Sequence, residues 1–347
     1  MLKDISVSEL FELEKAVVID VRSEHEFHQG TIPGAINIPL FNNEERTEIG
    51  TVYNNESPEK ATELGLKIVS GKLYSLYKQI NEVSGENPVI LFCWRGGMRS
   101  RSLAVVLDLM GLNVLRLCGG YKAYRNFIVG FFEKEFPFHV IVLKGNTGTG
   151  KTELLLNLKE EGYPVLDLEG LANHRGSVFG GIGLGTQPTQ KQFESLIYRE
   201  ITNYQMCTYV IVECESKRIG RLILPDSLVK AMQEGTEILV YDTLENRTER
   251  IIREYVMTSE DIAEFSRSLL KLKKRLGNAT VEKLLSYLEE EDFQKFAAML
   301  MNEYYDKLYG YPNEENDCCQ FCINNGAPEK GIKELKEFLD RNYGFIN

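Results

Sequence analysis

The sequence predicts an α/β protein with two parallel-sheet domains in series and a helical C-terminal part, and three observations predict it. Short β-branched runs recur with helical segments between them. Two glycine-rich loops each follow such a run and open a helix. The 347 residues suffice for two domains at roughly 150 residues apiece. With 43% apolar and 26% charged residues, disorder and fibrous architectures are not expected. The apolar runs at 105–107 and 154–156 fall far short of the ~20 residues that cross a bilayer, and the N-terminus has no basic-then-apolar leader, so a soluble, cytoplasmic protein with no membrane partner is expected. Seven cysteines, an odd number scattered over a long chain, suit reduced thiols better than a disulfide framework. Fifty-one acidic against 40 basic residues give a net charge of -11, which excludes a broad polyanion-binding coat but allows a local basic track.

Residues 16–21, 89–92 and 114–117 are short apolar, β-branched runs of the kind buried in parallel sheets. Between the last two, 100–110 has helical spacing and is closed by Gly111. Strand, loop, helix and strand in that order imply parallel pairing with right-handed crossovers, in a first domain over residues 1–127. The aromatic-rich stretch 127–138 reads as a packed connector. A second domain, 138–347, opens with another strand series at 139–143, 164–167, 209–213 and 237–242. From about 259 to 309 the pattern is largely helical, with Leu269, Leu272, Leu276, Leu284, Leu285 and Leu288 on buried stripes.

Gly145, Asn146, Thr147, Gly148, Thr149, Gly150, Lys151 and Thr152 form a GxxxxGK[ST] loop between a strand and a helix beginning near Glu153. Glycines let backbone N–H groups turn around an oxyanion, the helix N-terminus adds positive potential, Lys151 supplies a point charge and Thr152 can hold a metal ion. The loop specifies phosphate without specifying ATP. Glu213, at a strand end, leads Asp167 and Glu169 as the acidic partner for a metal or water.

Cys93, Trp94, Arg95, Gly96, Gly97, Met98, Arg99 and Ser100 form the second loop. A thiol there faces a helix N-terminus, inward N–H groups and two guanidinium groups, which favour a nucleophilic thiolate. The spacing from Cys93 to Arg99 is C-x5-R, long enough to surround a tetrahedral oxyanion instead of a lone sulfur. Sulfur transfer and phosphatase chemistry through a phosphocysteine are both open to these residues.

The segments Asp20-Val21-Arg22 with Glu26-Phe27, Gly30 to Pro39, the Cys93 loop and Gly119-Gly120-Tyr121 resemble rhodanese domains over most of the first 126 residues. Downstream of the phosphate loop, residues 168–180, 187–194 and 212–220, together with 42–51 in the long insertion before the cysteine strand, resemble the tRNA 2-selenouridine synthase family, most closely as far as about residue 255. The resemblance implies an N-terminal rhodanese-like domain followed by a P-loop NTPase-like domain. It also implies a transferase whose substrate is a tRNA carrying wobble 2-thiouridine. The co-substrates it implies are geranyl diphosphate, which alkylates the sulfur, and selenophosphate, made by a selenophosphate synthetase, which replaces it. No tightly bound cofactor or resident metal is expected, with magnesium an optional assistant. It places diphosphate on Gly145 to Thr152, and selenium on Cys93 as a selenosulfide with Arg95 and Arg99 on the donor's phosphate. Asp20, Arg22, Gly96, Gly97, Glu169, Ser177 and Glu213 support these sites. His174 and Arg175 are expected near the reacting uridine, as proton donor and phosphate ligand.

Two other functions fit the motifs. One is a sulfurtransferase or phosphatase fused to an ATP-dependent kinase-like domain; the other is a non-catalytic, nucleotide-switched tRNA-binding module. For RNA contact, Lys217, Arg218 and Arg221 form one basic cluster; Arg247, Arg250 and Arg253 recur every third residue; Arg267, Lys271, Lys273, Lys274 and Arg275 form a third. Trp94 and Tyr121 could stack a base or merely pack. Cys318, Cys319 and Cys322 lack a nearby histidine to complete a zinc site, and Cys214 stands where an acidic residue is expected.

Overall fold

The computed structural model describes residues 2–214, 216–255, 259–315 and 319–344; Glu215 and Cys318 lie outside them. The chain forms two compact units. One runs through Glu133 and takes in Thr189–Leu196, and the other holds Lys134–Pro188 and the chain from Ile197 onward.

The first unit is a five-stranded parallel sheet of β1 (Lys3–Ile5), β2 (Val17–Asp20), β3 (Ile36–Asn37), β4 (Val89–Phe92) and β5 (Val114–Leu117), in the order β1-β5-β4-β2-β3. β4 lies near the middle and is buried on both faces, which is why it reads as an unbroken apolar run. The helix Met98–Leu109 returns to the sheet and buries Leu103, Ala104 and Leu107 in a core with Ile19 and Leu91. The insertion before β4 is two helices, Asn43–Asn55 and Pro58–Ser84. Asn42 and Glu45 make a capping box for the first, and Ser57 caps the second with proline at its first position. Of the expected aromatic connector, 127–132 is the second half of the helix Gly120–Phe132, whose apolar face buries Tyr121, Tyr124 and Ile128, and 133–138 runs on from it with Phe136 buried.

The second unit carries β6 (His139–Lys144), β7 (Tyr209–Glu213), β10 (Thr236–Tyr241) and β11 (Phe321–Asn324), parallel in the order β11-β10-β6-β7, with a small antiparallel ribbon of β8 (Arg218–Ile219) and β9 (Leu222–Ile223). The expected strand at 164–167 reduces to one bridge between Val165 and Ile211. Pro164 lacks a donor, and Asp167 accepts from the Gly170 N–H at 2.8 Å to cap the helix Leu168–Ala172, so pairing stops at once. β11 and the helix Pro328–Tyr343 were not foreseen. They bury Ile323, Leu335 and Leu339 with Ile141 and Leu154. The helical part holds Ser259–Lys271, Asn278–Glu289 and Phe293–Leu300 around Phe265, Leu269, Leu272, Leu284, Leu288 and Phe296, with Leu276 and Leu285 half-buried at its edge. Among the described residues no helix is long and apolar enough to cross a membrane.

Candidate active site: two anion cradles

The cysteine loop folds tightly because glycine backbone packs on glycine backbone. A Cβ on Gly96 would lie 2.7 Å from the Leu117 carbonyl, and one on Gly120 would lie 2.1 Å from the Cys93 carbonyl, with both residues at positive φ. The Tyr121 and Lys122 N–H groups donate to the Cys93 and Trp94 carbonyls at 2.9 Å, and Arg116 donates to the Gly96 carbonyl at 2.7 Å. The floor is a buried ion pair. Arg22 donates to Asp20 at 2.6 to 3.1 Å and to the Gly30 carbonyl at 2.8 Å, Thr31 donates to Asp20, and the Arg22 guanidinium lies 4.0 Å from the Tyr121 ring centroid. Asp20 and Arg22 therefore shape the loop; neither charge is free for a ligand.

Cys93 is only 3% exposed and packs in the core of the first unit. Its Sγ accepts from the Ser100 hydroxyl at 3.3 Å, a partner that sequence reasoning missed although Ser100 follows Arg99 directly. Arg99, expected on a donor phosphate, is held by Glu26 at 2.6 and 3.2 Å, while Arg95 is exposed. Burial pushes the Glu26 carboxyl up, but the hydrogen bond and charge of Arg99 hold it below the ordinary carboxylate range. Beside the loop is a cavity of about 280 Å³ walled by Arg22, Arg46, Arg99, Lys191, Trp94 and Tyr121. Trp94 is at its exposed rim, 5.7 Å from the buried Tyr121, so Tyr121 packs and only Trp94 is available to a base. Lys191 arrives from the segment Thr189–Leu196, where Thr189 donates to the Gln29 carbonyl at 2.8 Å, Gln192 accepts from the Thr31 N–H at 2.8 Å and Glu194 pairs with Arg125 at 2.5 Å.

The phosphate loop is built from outside. Arg247 donates to the Thr147 carbonyl at 2.8 Å, Arg250 to the Gly148 carbonyl at 3.1 Å and Asn325 to the Thr149 carbonyl at 2.8 Å. Three successive carbonyls are drawn outward, which leaves the N–H groups to line the cradle. Lys151 bends back on its own loop, 3.0 Å from the Gly145 carbonyl and 3.4 Å from Glu213, and the Thr152 hydroxyl donates to Glu213 at 2.8 Å. Of the competing carboxylates, Asp167 is spent as a helix cap, Glu169 lies at the cavity wall and Glu213 touches the loop. The hydroxyl of Thr152 and one carboxylate are hard oxygen donors of the sort magnesium shares with substrate phosphates.

A cavity of about 640 Å³ opens over this loop. Arg175 lies in its wall, with Nε 2.9 Å from Glu254 and its guanidinium 4.8 Å from the Tyr255 ring centroid; Ser177 lies there too. Burial raises the Glu254 carboxyl, and it pushes Tyr255 up to about 12. His174 does not line the cavity. Its ring packs against Gly180 and Gly220, where added Cβ atoms would lie 2.9 and 2.8 Å away, and burial with the Arg175 charge lowers its pKa. Of the two residues expected near the reacting uridine, the structure thus places Arg175 in the cavity wall and His174 outside it. Cys214 also lines the cavity, 3.4 Å from the Tyr311 hydroxyl.

The expected basic stripe divides. Arg247 is fully buried, paired with Asp306 at 2.5 Å and Asn313 at 3.0 Å, so it cannot meet RNA. Arg250 pairs with Asp242 at 2.5 Å, and with Arg253 it faces the cavity. Lys217, Arg218, Arg221, Lys273 and Lys274 are exposed, although Lys217 pairs with Asp226 at 2.7 Å and Arg221 donates to the Gln187 carbonyl at 2.5 Å. Cys322 sits within β11, and among the described residues no three His, Cys, Asp or Glu side chains group to hold a metal.

Fold and site together define a class: a chain that joins a rhodanese-type cysteine loop in one unit to a P-loop in the other. A family model described as a rhodanese-like domain matches residues 6–127, and one described as the tRNA 2-selenouridine synthase AAA domain matches 138–340, well past the point where the sequence resemblance weakened. Curated relatives named tRNA 2-selenouridine synthase include one from Sulfurovum sp., 33% identical over 334 residues and covering 88% of this chain and 90% of that one, and one from Pseudomonas syringae pv. syringae, 34% identical with 87% and 90% covered. A solved N-terminal domain of a putative ATP/GTP binding protein from Clostridium difficile 630 is 41% identical over 37% of this chain and 99% of that chain, with a TM-score of 0.36. The chain belongs to the tRNA 2-selenouridine synthase family.

Proposed function

We propose that this cytoplasmic enzyme converts wobble 2-thiouridine of tRNA to 2-selenouridine in two transfers, geranylation of the sulfur from geranyl diphosphate at the Lys151 cradle and then selenation from selenophosphate at the Cys93 cradle. The observation that carries the reading is the presence in one chain of two oxyanion cradles of different chemistry, matched to two different phosphorus-bearing donors. In the first transfer the thiocarbonyl sulfur attacks C1 of the geranyl chain and the C1–O bond breaks with its electron pair going to diphosphate. Lys151 and the N–H groups freed by Arg247, Arg250 and Asn325 would stabilise that departing charge, with Arg175 beside it. Magnesium, held by Thr152 and Glu213 with the diphosphate, would supply further positive charge. Alkylation turns a poor leaving sulfur into a thiolate that can depart from C2.

For the second transfer, redox balance decides what Cys93 carries. Selenium in selenophosphate is fully reduced, whereas a selenosulfide on Cys93 lies two electrons higher and would need an oxidant that neither donor supplies. Attack of the Cys93 thiolate on phosphorus balances: the S–P bond forms, the P–Se bond breaks, and selenide is released beside the alkylated base. Selenide then adds to C2, geranylthiolate leaves with the C–S pair, and water returns the phosphocysteine to thiol and phosphate. A C-x5-R loop with Ser100 donating to Sγ suits that exchange. Exposed Lys217, Arg218, Arg221, Lys273 and Lys274, with Arg253, Arg267, Lys271 and Arg275, are the remaining candidates for the RNA backbone.

The test incubates purified full-length protein with 2-thiouridine tRNA and geranyl diphosphate without ATP, then adds selenophosphate, with nucleosides read by mass spectrometry at each stage. A C10 adduct followed by selenouridine is expected. No adduct, or an adduct that requires ATP, overturns the reading and favours the kinase-like alternative.

A further inference from the structure

We propose that the small apolar cavity between Thr147 of the phosphate loop and the helix Phe293–Leu300 is a binding site for the isoprenyl chain of the alkyl donor and sets the chain length accepted. The proposal rests on the alkylation reading above and goes further by giving the tail an address in the fold.

The cavity measures about 40 Å³ and is walled by Phe179, Phe265, Phe296, Ala297, Leu300 and Met301, all at most 6% exposed. It shares Thr147, Ser177, Ile251 and Tyr255 with the wide cavity over the phosphate loop, so a ligand with an anionic head and an apolar tail can span the two without leaving protein. The division of chemistry matches such a ligand. Lys151, Arg250 and Arg175 are in the wide cavity, while the small one is lined mainly by rings, methyl groups and a thioether, with hydroxyl-bearing side chains at Thr147, Ser177, Tyr255 and Tyr305 alone. A nucleotide would fit poorly, because its base and ribose bring more polar atoms than those few hydroxyls can satisfy. As it stands the cavity takes the branched end of a chain, and the rest would lie along Ile251 and Tyr255 toward the head.

The wall can yield. Directly after the helix Phe293–Leu300 the backbone forms a π-helix over Met301–Tyr305, a wider winding that recurs at functional sites. It presents Met301, whose unbranched side chain adapts to irregular space. Ala297 is the smallest side chain on the wall and Leu300 is one turn further along the same helix, so the two positions set how deep a chain can go.

The experiment uses the full chain, an anticodon stem-loop RNA with 2-thiouridine, and dimethylallyl, geranyl and farnesyl diphosphates in competition, with adducts counted by mass spectrometry. Leu300→Ala is expected to raise the farnesyl-to-geranyl ratio about tenfold or more, and Ala297→Phe to raise the dimethylallyl-to-geranyl ratio similarly, since a hydrophobic pocket discriminates about that much per methylene. Calorimetry gives the second readout: geranyl diphosphate should bind the unaltered chain more than about tenfold tighter than inorganic pyrophosphate, and Ala297→Phe should erase the difference while pyrophosphate affinity stays put. If Ala297→Phe fails to fold, Leu300→Ala decides. Unchanged product ratios in Leu300→Ala, with geranylation intact, overturn the chain site and leave the alkylation reading standing. No transfer by the unaltered chain from any donor overturns the alkylation reading itself, and equal affinities for geranyl diphosphate and pyrophosphate then overturn the chain site as well.

Discussion

The two glycine-rich loops, each set between a strand and a helix, arrange their cations by opposite means. In the cysteine loop the cations are consumed inside: Arg22 is paired with Asp20, Arg99 with Glu26, and the thiol is buried below them. In the phosphate loop the arginines bond the loop's carbonyls, buried Arg247 from outside the cavity and Arg250 from its wall, and the lining keeps Lys151 and an open cavity of about 640 Å³. The difference teaches that a cradle's reactivity follows from which side of the backbone its charges occupy. Interior pairs favour a nucleophile in a defined pocket, whereas exterior braces favour a vessel for a large departing anion.

The sharpest way to break this contrast is to disable each cradle and see which intermediate accumulates. Cys93→Ser is expected to lower selenouridine formation by about 10³-fold or more while geranylated nucleoside builds up, as quantified by nucleoside mass spectrometry. Normal selenation would remove Cys93 from the reaction. Lys151→Ala should lower the alkylation rate by about 10²- to 10³-fold, the loss typical of one oxyanion-stabilising donor, yet leave selenation of pre-geranylated RNA near its starting rate. Equal damage to both steps would mean that the cradles do not divide the work. Next comes Arg247→Met, which strands Asp306 and releases the Thr147 carbonyl; urea unfolding should show a loss of about 3 kcal/mol. A loss below about 1 kcal/mol would show that the brace is not needed. The smallest effect is expected at Glu26, a partly exposed pair. Its carboxyl is held below its ordinary value of 4.5, so the stability it adds is present above that pH and disappears as pH falls through the lowered value. Glu26→Gln should therefore melt a degree or two below the unaltered chain at neutral pH, about 0.5 kcal/mol, with the two melting curves converging in acid. A gap that persists in acid would contradict the assignment.

Much of this was legible in the sequence, for a local reason. Both cradles need glycine at closely spaced constrained positions, so each backbone requirement is met by a short string, as at Gly96 with Gly119-Gly120 and at Gly145 to Thr152. Glu213 could be ranked ahead of Asp167 because it ends a strand. What escaped depends on partners far along the chain. Arg247 has the every-third spacing of an exposed stripe, and only Thr147, 100 residues earlier, and Asp306, 59 residues later, make it internal. β11 escaped because its few apolar residues lie beside cysteines and turn-forming residues, and it becomes a strand only by pairing with β10. His174 looked reactive as one of four histidines, and its burial against two glycines has no local signature.

The short stretch Thr189–Leu196 has a consequence for synthesis and dissection. On the ribosome the first lobe lacks its closing piece until Lys134–Pro188 has been made, so Gln29, Thr31 and Arg125 wait for contacts encoded much later. A gene cut after Glu133 would yield a lobe with a gap and no Lys191, and adding a peptide of residues 187–197 in trans is the natural way to complete it.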